Sequence, residues 1–433
     1  MDLRSDRAAL EARKDHMKSG RRVVITGMGV VSPLGSGVEE FWSALLGGAS
    51  GARAITEFDV SRCRSRISCP ASGFAAEPYF TPRELKRISR ISQLAIKASD
   101  EALTDAATTE DTPDREQLGV IMGTTLSPFV AAETFYESYF VRGNVDPLTI
   151  PYSMRNAPAS NVSIRFGLRG PLMTTDAACA SSAHAVGMAA LLIRSGQADA
   201  VLAGGADSGL SPRLFYTWDR LRVMATGNDC PERACKPFSR NRDGFVMGEG
   251  AGMLLLEEES AARRRGARIY AEVAGYGAAS DSYHLTEPTP AGPAAAMTRA
   301  MADAELGVSE IDYINAHASA TPWNDRVETR AIKDAFEEHA YRIPIVGIKG
   351  ATGHLMGAGG AIELISCVLA LRDGIVPPTL NFETPDPDCD LDYVVEGARR
   401  VPLAVAMSNS FAFGGSNASL VLRAYAESNL RGG

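Results

Sequence analysis

Arg21–Gly35, RRVVITGMGVVSPLG, reads as an apolar, β-branched strand running into a glycine-rich turn. Ala267–Asp281, ARIYAEVAGYGAASD, repeats that pattern in the second part of the chain. The echo predicts a duplicated unit, each half opening on the same kind of strand, with the join near Arg268. Around these two segments the strand-like runs VVITGMGVV, LGVIMG, ADAVLAGGA, GAGMLLLEE, YINAHA and IPIVGIKG alternate with helix-like ones. That alternation calls for a layered α/β architecture with a largely buried sheet. The expected organisation is an extension over 1–20, a first half over 21–267, a second over 268–425 and a tail over 426–433. The leader MDLRSDRAALEARKDHMKSG is charged and holds no apolar run long enough for a signal peptide or a membrane span.

With 433 residues, 45% hydrophobic and 22% charged, the chain is ample for one large core or two joined ones. A formal net charge of -8 argues against general nucleic-acid binding, which favours a basic surface. The seven cysteines, at 63, 69, 179, 230, 235, 367 and 389, are scattered and lack paired CxxC spacing. No metal site is expected from them, and a reducing, cytoplasmic setting fits. GMGVVSPLG lacks the GxGxxG spacing of a dinucleotide site and is read as a structural turn. GATGHLMGAGG lacks the Lys-Ser/Thr ending of a P-loop.

Cys179 lies in Thr174–Leu192, TTDAACASSAHAVGMAALL. The residues before it read as extended and those after it as a buried helix, which puts the sulfur at a helix N-terminus. There the free N–H groups and the helix dipole favour a thiolate, so a lowered pKa is expected. A lone cysteine in apolar company is more often a small buried hydrophobe; the segments that follow reverse the odds. Asn315–Asp325, NAHASATPWND, carries His317, and Lys349–Gly360, KGATGHLMGAGG, carries Lys349 and His354. Two of only six histidines fall in these motifs. His184, on the Cys179 helix, and His284, in SDSYHLT, are read as structural.

These segments, with RRVVITGMGVVSPLG, PFSRNRDGFVMGEGAG at Pro237–Gly252 and SNSFAFGGSNASLVL at Ser408–Leu422, resemble the beta-ketoacyl-[acyl-carrier-protein] synthases. The likeness is greatest to the type II elongating branch of these thiolase-superfamily condensing enzymes, and it runs from about Arg22 to Leu422. It implies a five-layered αβαβα fold of two pseudo-symmetric halves, with the site where they meet. The implied reaction is a decarboxylative Claisen condensation, in fatty acid or type II polyketide elongation. Cys179 would hold the acyl chain, and the N–H groups of Cys179 and Phe413 would bind its oxyanion. His317 and His354 would bind the enolate derived from a malonyl-acyl carrier protein. Lys349, paired with Glu328, would orient the malonyl site, and Phe413, framed with Phe411, would gate Cys179. No cofactor is implied; the substrates ride on the phosphopantetheine of an acyl carrier protein.

The sequence departs from the common wording of that family. Where HGTGT is usual it has HASAT: Ser319 and Thr321 keep hydroxyls for the pantetheine arm, and Ala318 adds a methyl where glycine is typical. Trp323 follows in place of a smaller residue. Trp218 and Leu126 fall where the acyl region is lined. Arg83, Lys86, Arg87 and Arg90, with Arg220 and Arg222, offer a basic patch to an acidic carrier protein, although a solvated helix face explains such a run about as well. A degradative thiolase would carry a second cysteine near the C-terminus, and the chain-initiating branch an asparagine in place of His354. The remaining alternative is a silent or partner-dependent subunit setting chain length in a heterodimer; a homodimer is the other assembly the resemblance allows.

Overall fold

The computed structural model describes residues 20–108, 115–145 and 147–425. The tail expected from sequence, and all of the extension but Gly20, lie outside these.

Ten strands form one sheet: β1 (Val23–Val31), β2 (Gly119–Gly123), β3 (Leu172–Thr175), β4 (Ala200–Ser208), β5 (Glu249–Glu258), β6 (Ala271–Ser280), β7 (Tyr313–Asn315), β8 (Ile345–Val346), β9 (Val405–Ala412) and β10 (Ser416–Ala424). The order across the sheet is β8-β7-β9-β10-β6-β1-β5-β4-β2-β3. Each set of five, counted outward from the middle, follows the same path: first, fifth, fourth, second, third. The two sets meet through β1 and β6, paired at Val24–Glu272 and Ile25–Ala271.

Eight helices matter here: α1 (Arg90–Asp105), α2 (Ser127–Arg142), α3 (Ala157–Phe166), α4 (Ser181–Arg194), α5 (Pro212–Arg220), α6 (Ala291–Asp303), α7 (Asn324–Phe336) and α8 (Gly359–Asp373). α1 and α3 cover the outer face of the first five strands, and α6 and α7 that of the second, while α4 and α8 pack against each other between them. Strand side chains alternate accordingly. On β2, Val120 and Met122 join the apolar cluster of α1 and α3, and Ile121 joins the central one around α4 and α8. On β10, Leu420 and Leu422 face the central cluster and Val421 the cluster of α6 and α7. Three clusters between five layers make the αβαβα arrangement.

The glycines of the sequence echo lie inside β1 and β6, where a turn was expected, and they let a helix press onto the strand. A Cβ on Gly27 would sit 2.2 Å from the Ala102 carbonyl oxygen, and one on Gly29 1.9 Å from that of Ala98. In the second half the same pair recurs: Gly275 would meet Ala300 O at 2.2 Å and Gly277 would meet Ala296 O at 2.1 Å. No described helix is long and apolar enough to cross a membrane.

Candidate active site

Cys179 stands in the turn between β3 and α4. The turn is held by Ser181, whose Oγ accepts from Ala177 N–H at 2.9 Å and donates to Ala178 O at 2.7 Å. Ala178 takes a left-handed φ of 47° to aim the next residue inward. Gly123 at the end of β2 leaves room for this turn, since a Cβ there would lie 2.3 Å from Ser182 N.

His354 comes from the opposite half, its Nε2 3.1 Å from Cys179 Sγ. Its Nδ1 accepts from Met356 N–H at 3.2 Å, which fixes the proton on Nε2 and turns that N–H toward the sulfur. His317 stands beside it, ring centroids 5.4 Å apart, with Lys349 Nζ 3.4 Å from its Nδ1. Both histidines are buried. Burial and the nearby Lys349 charge hold both pKa values well below the usual imidazole range, so both rings are neutral Nε2–H donors.

Cys179 Sγ and a ring nitrogen of each histidine lie within 4.8 Å of one another, a donor set that resembles a metal site. The surroundings argue otherwise. A ligating histidine donates its remote N–H outward, whereas each Nδ1 here faces a donor, Met356 N–H or Lys349 Nζ. The Nε2 atoms therefore keep their protons.

Burial pushes the Cys179 thiol up to about 11, against the pull of Lys349 and of hydrogen bonds from the Phe413 and Cys179 N–H groups. This reverses the lowered pKa expected from the helix N-terminus. At the sulfur, desolvation outweighs the helix dipole. The two N–H groups foreseen as oxyanion donors are among the groups that pull the thiol pKa down.

Lys349 does not pair with Glu328. Its Nζ donates to Glu363 on α8 and to the His317 carbonyl oxygen, all fully buried. Glu328 instead accepts the N–H groups of His317 and Ala318, each at 2.7 Å, and burial raises its pKa to about 7. It shapes the HASAT turn. Ala318 and Ala320 there hold φ of 45° and 60°, conformations that favour glycine.

A cavity of about 390 Å³ opens over Cys179, lined by His317, His354, Ser319, Thr321, Phe411, Phe413 and Trp218. Ser319 and Thr321 hydroxyls lie 3.0 Å apart. His284 lines the cavity too, and its Nδ1 accepts from Thr286 and Glu287 N–H, each at 3.2 Å, so its structural role is to fold a loop over the mouth. That loop is latched to the glycine turn by Gly414 N–H donating to Leu285 O at 2.7 Å. His184 is the bonded helix residue foreseen, between Tyr276 and Ser416 hydroxyls. Leu126 does not line this cavity; it is buried behind it in an apolar cluster with Phe215, Met247 and Met356.

The basic patch divides. Arg222 lines the cavity mouth, whereas Lys86 and Arg87 line a separate groove against α2, and Arg83 is exposed nearby. Arg90 lines the same groove but pairs with Glu249 at 2.8 Å.

Sequence reasoning missed Asp207. Fully buried at the end of β4, its carboxylate accepts N–H groups of Thr125 and Leu126 from one half and of Gly357, beside the His354 segment, from the other, each at 3.0 Å. An acid at the carboxyl end of the apolar run ADAVLAGGAD was the available signal. Glu363 and Phe245 were missed as well, and nothing local marks them.

Fold and site together define an α/β acyl-transfer enzyme with a cysteine and two histidines brought from two halves. Residues 20–262 match the family model of the Beta-ketoacyl synthase, N-terminal domain, and residues 270–383 that of the Beta-ketoacyl synthase, C-terminal domain. The chain belongs to the beta-ketoacyl synthase family, an acyltransferase family of thiolase-like fold. It is 39% identical over 409 residues to a 3-oxoacyl-[acyl-carrier-protein] synthase 2 of Synechocystis, covering 94% of this chain and 98% of that one. The enzyme of the same name from Rhizobium meliloti is 41% identical over 418 residues, covering 94% and 99%. Among solved structures, the ishigamide ketosynthase/chain length factor superposes with a TM-score of 0.88 at 35% identity, covering 94% of this chain and all of that chain. A type II PKS ketosynthase in complex with its acyl-carrier protein gives 0.86 at 32% identity, with the same coverage.

Proposed function

We propose that the protein condenses an acyl group held on Cys179 with a malonyl-acyl carrier protein to give a beta-ketoacyl-acyl carrier protein. The observation that carries this is His354 Nε2 at 3.1 Å from Cys179 Sγ with His317 beside it, all three side chains lining one cavity.

In the first step the Cys179 sulfur attacks the carrier-bound thioester. The Cys179 and Phe413 N–H groups stabilise the tetrahedral oxyanion, and the carrier thiol leaves with the proton that Cys179 gives up. In the second, the malonyl carboxylate leaves as carbon dioxide, and its bonding pair moves onto the thioester oxygen, where His317 and His354 Nε2–H groups meet it. The enolate carbon then attacks the acyl carbon on Cys179, a carbon–carbon bond forms, and the Cys179–carbon bond breaks. The departing sulfur is received by the same donors. Lys349 keeps His317 in place and adds positive potential without acting as a base. Phe413 gates the sulfur.

The arrangement uses no resident cofactor and suits a cytoplasmic enzyme. The join between halves at 267/268 is supported by the repeated strand order. A second copy, or a homologous partner, is supported by β3, an edge strand with exposed Leu172 and Met173. Arg83, Lys86 and Arg87 remain candidates for carrier docking.

Intact-mass spectrometry with acyl-carrier proteins of several lengths tests the reading. Wild type gains an acyl mass that Cys179→Ala lacks, and malonyl-carrier protein discharges it as a beta-ketoacyl product. Absence of loading on wild type overturns it.

A further inference from the structure

Next to the Cys179 turn lies a polar chain that the condensation steps do not use. It begins at Arg155, just ahead of α3, whose guanidinium pairs with Asp176 Oδ2. The other carboxylate oxygen, Oδ1, accepts from Thr125 Oγ1 at 3.1 Å and reaches the Ala178 N–H at 3.5 Å. Thr125 Oγ1 stands 3.1 Å from Ser181 Oγ and 3.2 Å from Ala178 O, the two atoms whose hydrogen bond closes the turn. The Thr125 N–H meanwhile donates to Asp207, which also gathers Gly357 beside the His354 segment. One residue thus touches the support of the sulfur with its hydroxyl and the support of the imidazole with its amide.

We infer that Arg155 is a positioning residue for Cys179, acting through Asp176 and Thr125. By holding Oδ2, Arg155 turns Oδ1 toward Thr125, and the carboxylate, a stronger acceptor than a carbonyl, takes the single hydroxyl proton. Ser181 is then left as the side chain that donates to Ala178 O. Without the pair, the Thr125 hydroxyl turns onto Ala178 O and draws on the left-handed residue that aims Cys179. The pair adds little to folding, because its side chains are 49% and 28% exposed and ion pairs in water contribute little. Its effect is therefore read in the reaction and not in stability. The inference rests on the reading that Cys179 carries the acyl group, and it names what sets that sulfur against His354.

The test measures Cys179 loading by intact mass over a range of acyl-carrier protein concentrations, with rates taken per folded chain. In Arg155→Gln the saturating rate falls about tenfold, the half-saturating concentration stays, and Arg155→Lys recovers part of the rate. Arg155→Gln combined with Asp176→Asn loses no more than either alone, as residues in one path do. In a Thr125→Val background, which has no hydroxyl to misdirect, Arg155→Gln changes nothing further. Unchanged loading in Arg155→Gln overturns the inference, and a lowered denaturation midpoint beside it makes the pair structural. A raised half-saturating concentration at an unchanged saturating rate overturns it too, and returns Arg155 to carrier docking. Additive losses with Asp176→Asn, or a full tenfold loss in the Thr125→Val background, overturn the path. In all of these wild type loads and the condensing reading stands; wild type that loads from no carrier protein removes both.

Discussion

The Trp218 indole lies stacked on the Phe413 ring, centroids 6.2 Å apart and planes 17° from parallel. Trp218 also meets Phe245 edge-on at 5.9 Å, and Phe245 meets His354 edge-on at 5.1 Å. The residue proposed to cover Cys179 is thus braced by a side chain that reaches His354 through one intermediary. Such stacking is worth about 1 kcal/mol beyond burial. Trp218→Ala is expected to free Phe413 and speed alkylation of Cys179 by iodoacetamide about fivefold, with Trp218→Phe in between. Equal rates in all three would show that the stack does not restrain the gate.

The raised pKa of Cys179 has a definite sign. Below about 11 the thiol is the dominant form, and the thiolate fraction grows with pH until that value. The alkylation rate of the free enzyme therefore climbs about tenfold per pH unit through neutrality without levelling near pH 8. A plateau at neutral pH would mean that the helix terminus and the hydrogen-bond donors win over desolvation.

Lys349 and Glu363 form the buried pair, and Glu328 does separate work. A double-mutant cycle of Lys349→Met with Glu363→Gln is expected to show coupling of about 2 kcal/mol in unfolding free energy. The cycle of Lys349→Met with Glu328→Gln should fall well below it, because Glu328 spends its oxygens on the His317 and Ala318 N–H groups. The reverse ranking would restore the pairing expected from sequence.

Ala318 and Ala320 carry left-handed backbone, with their methyls buried in apolar clusters. Glycine at either place removes roughly 1 kcal/mol of strain, part of which returns as chain entropy. Ala318→Gly and Ala320→Gly should each leave the denaturation midpoint unchanged or raised. A clear fall would mean that burial of the methyl outweighs the strain; Gly347, where a Cβ would lie 2.5 Å from Ala318 Cβ, marks how closely that methyl is packed.

Asp207→Asn keeps the shape and removes the charge that gathers three N–H groups from both halves. Its amide nitrogen must then face a donor, at about 1–3 kcal/mol for an unsatisfied buried group. A loss of kcat exceeding the loss of stability is expected, because the Gly357 contact sets the segment that carries His354. Unchanged kcat with lowered stability would confine Asp207 to a structural role.

The fold was legible because apolar runs of strand length recur in order and because Arg21–Gly35 has its echo at Ala267–Asp281. The reading of the glycines as a turn failed for a tertiary reason. Gly27 and Gly29 are needed where a helix presses on the strand interior, and sequence spacing does not show which neighbour comes close. At the site, Cys179, His317, His354 and Lys349 were legible in their motifs. The partner of Lys349 was not, because Glu328 and Glu363 are both acids within reach in sequence and only the packing of α8 decides between them. The sign of the Cys179 shift was hidden similarly, since a helix terminus can be inferred from sequence and the dryness of its surroundings cannot.

The repeated glycine contacts in β1 and β6 make the two halves like frames in the same winding order, joined along the seam at Val24–Glu272 and Ile25–Ala271. The frames differ in what they bring to the cavity: one carries the Cys179 sulfur, the other the imidazoles of His317 and His354. Neither frame holds the whole set, so the site exists only while the two are docked.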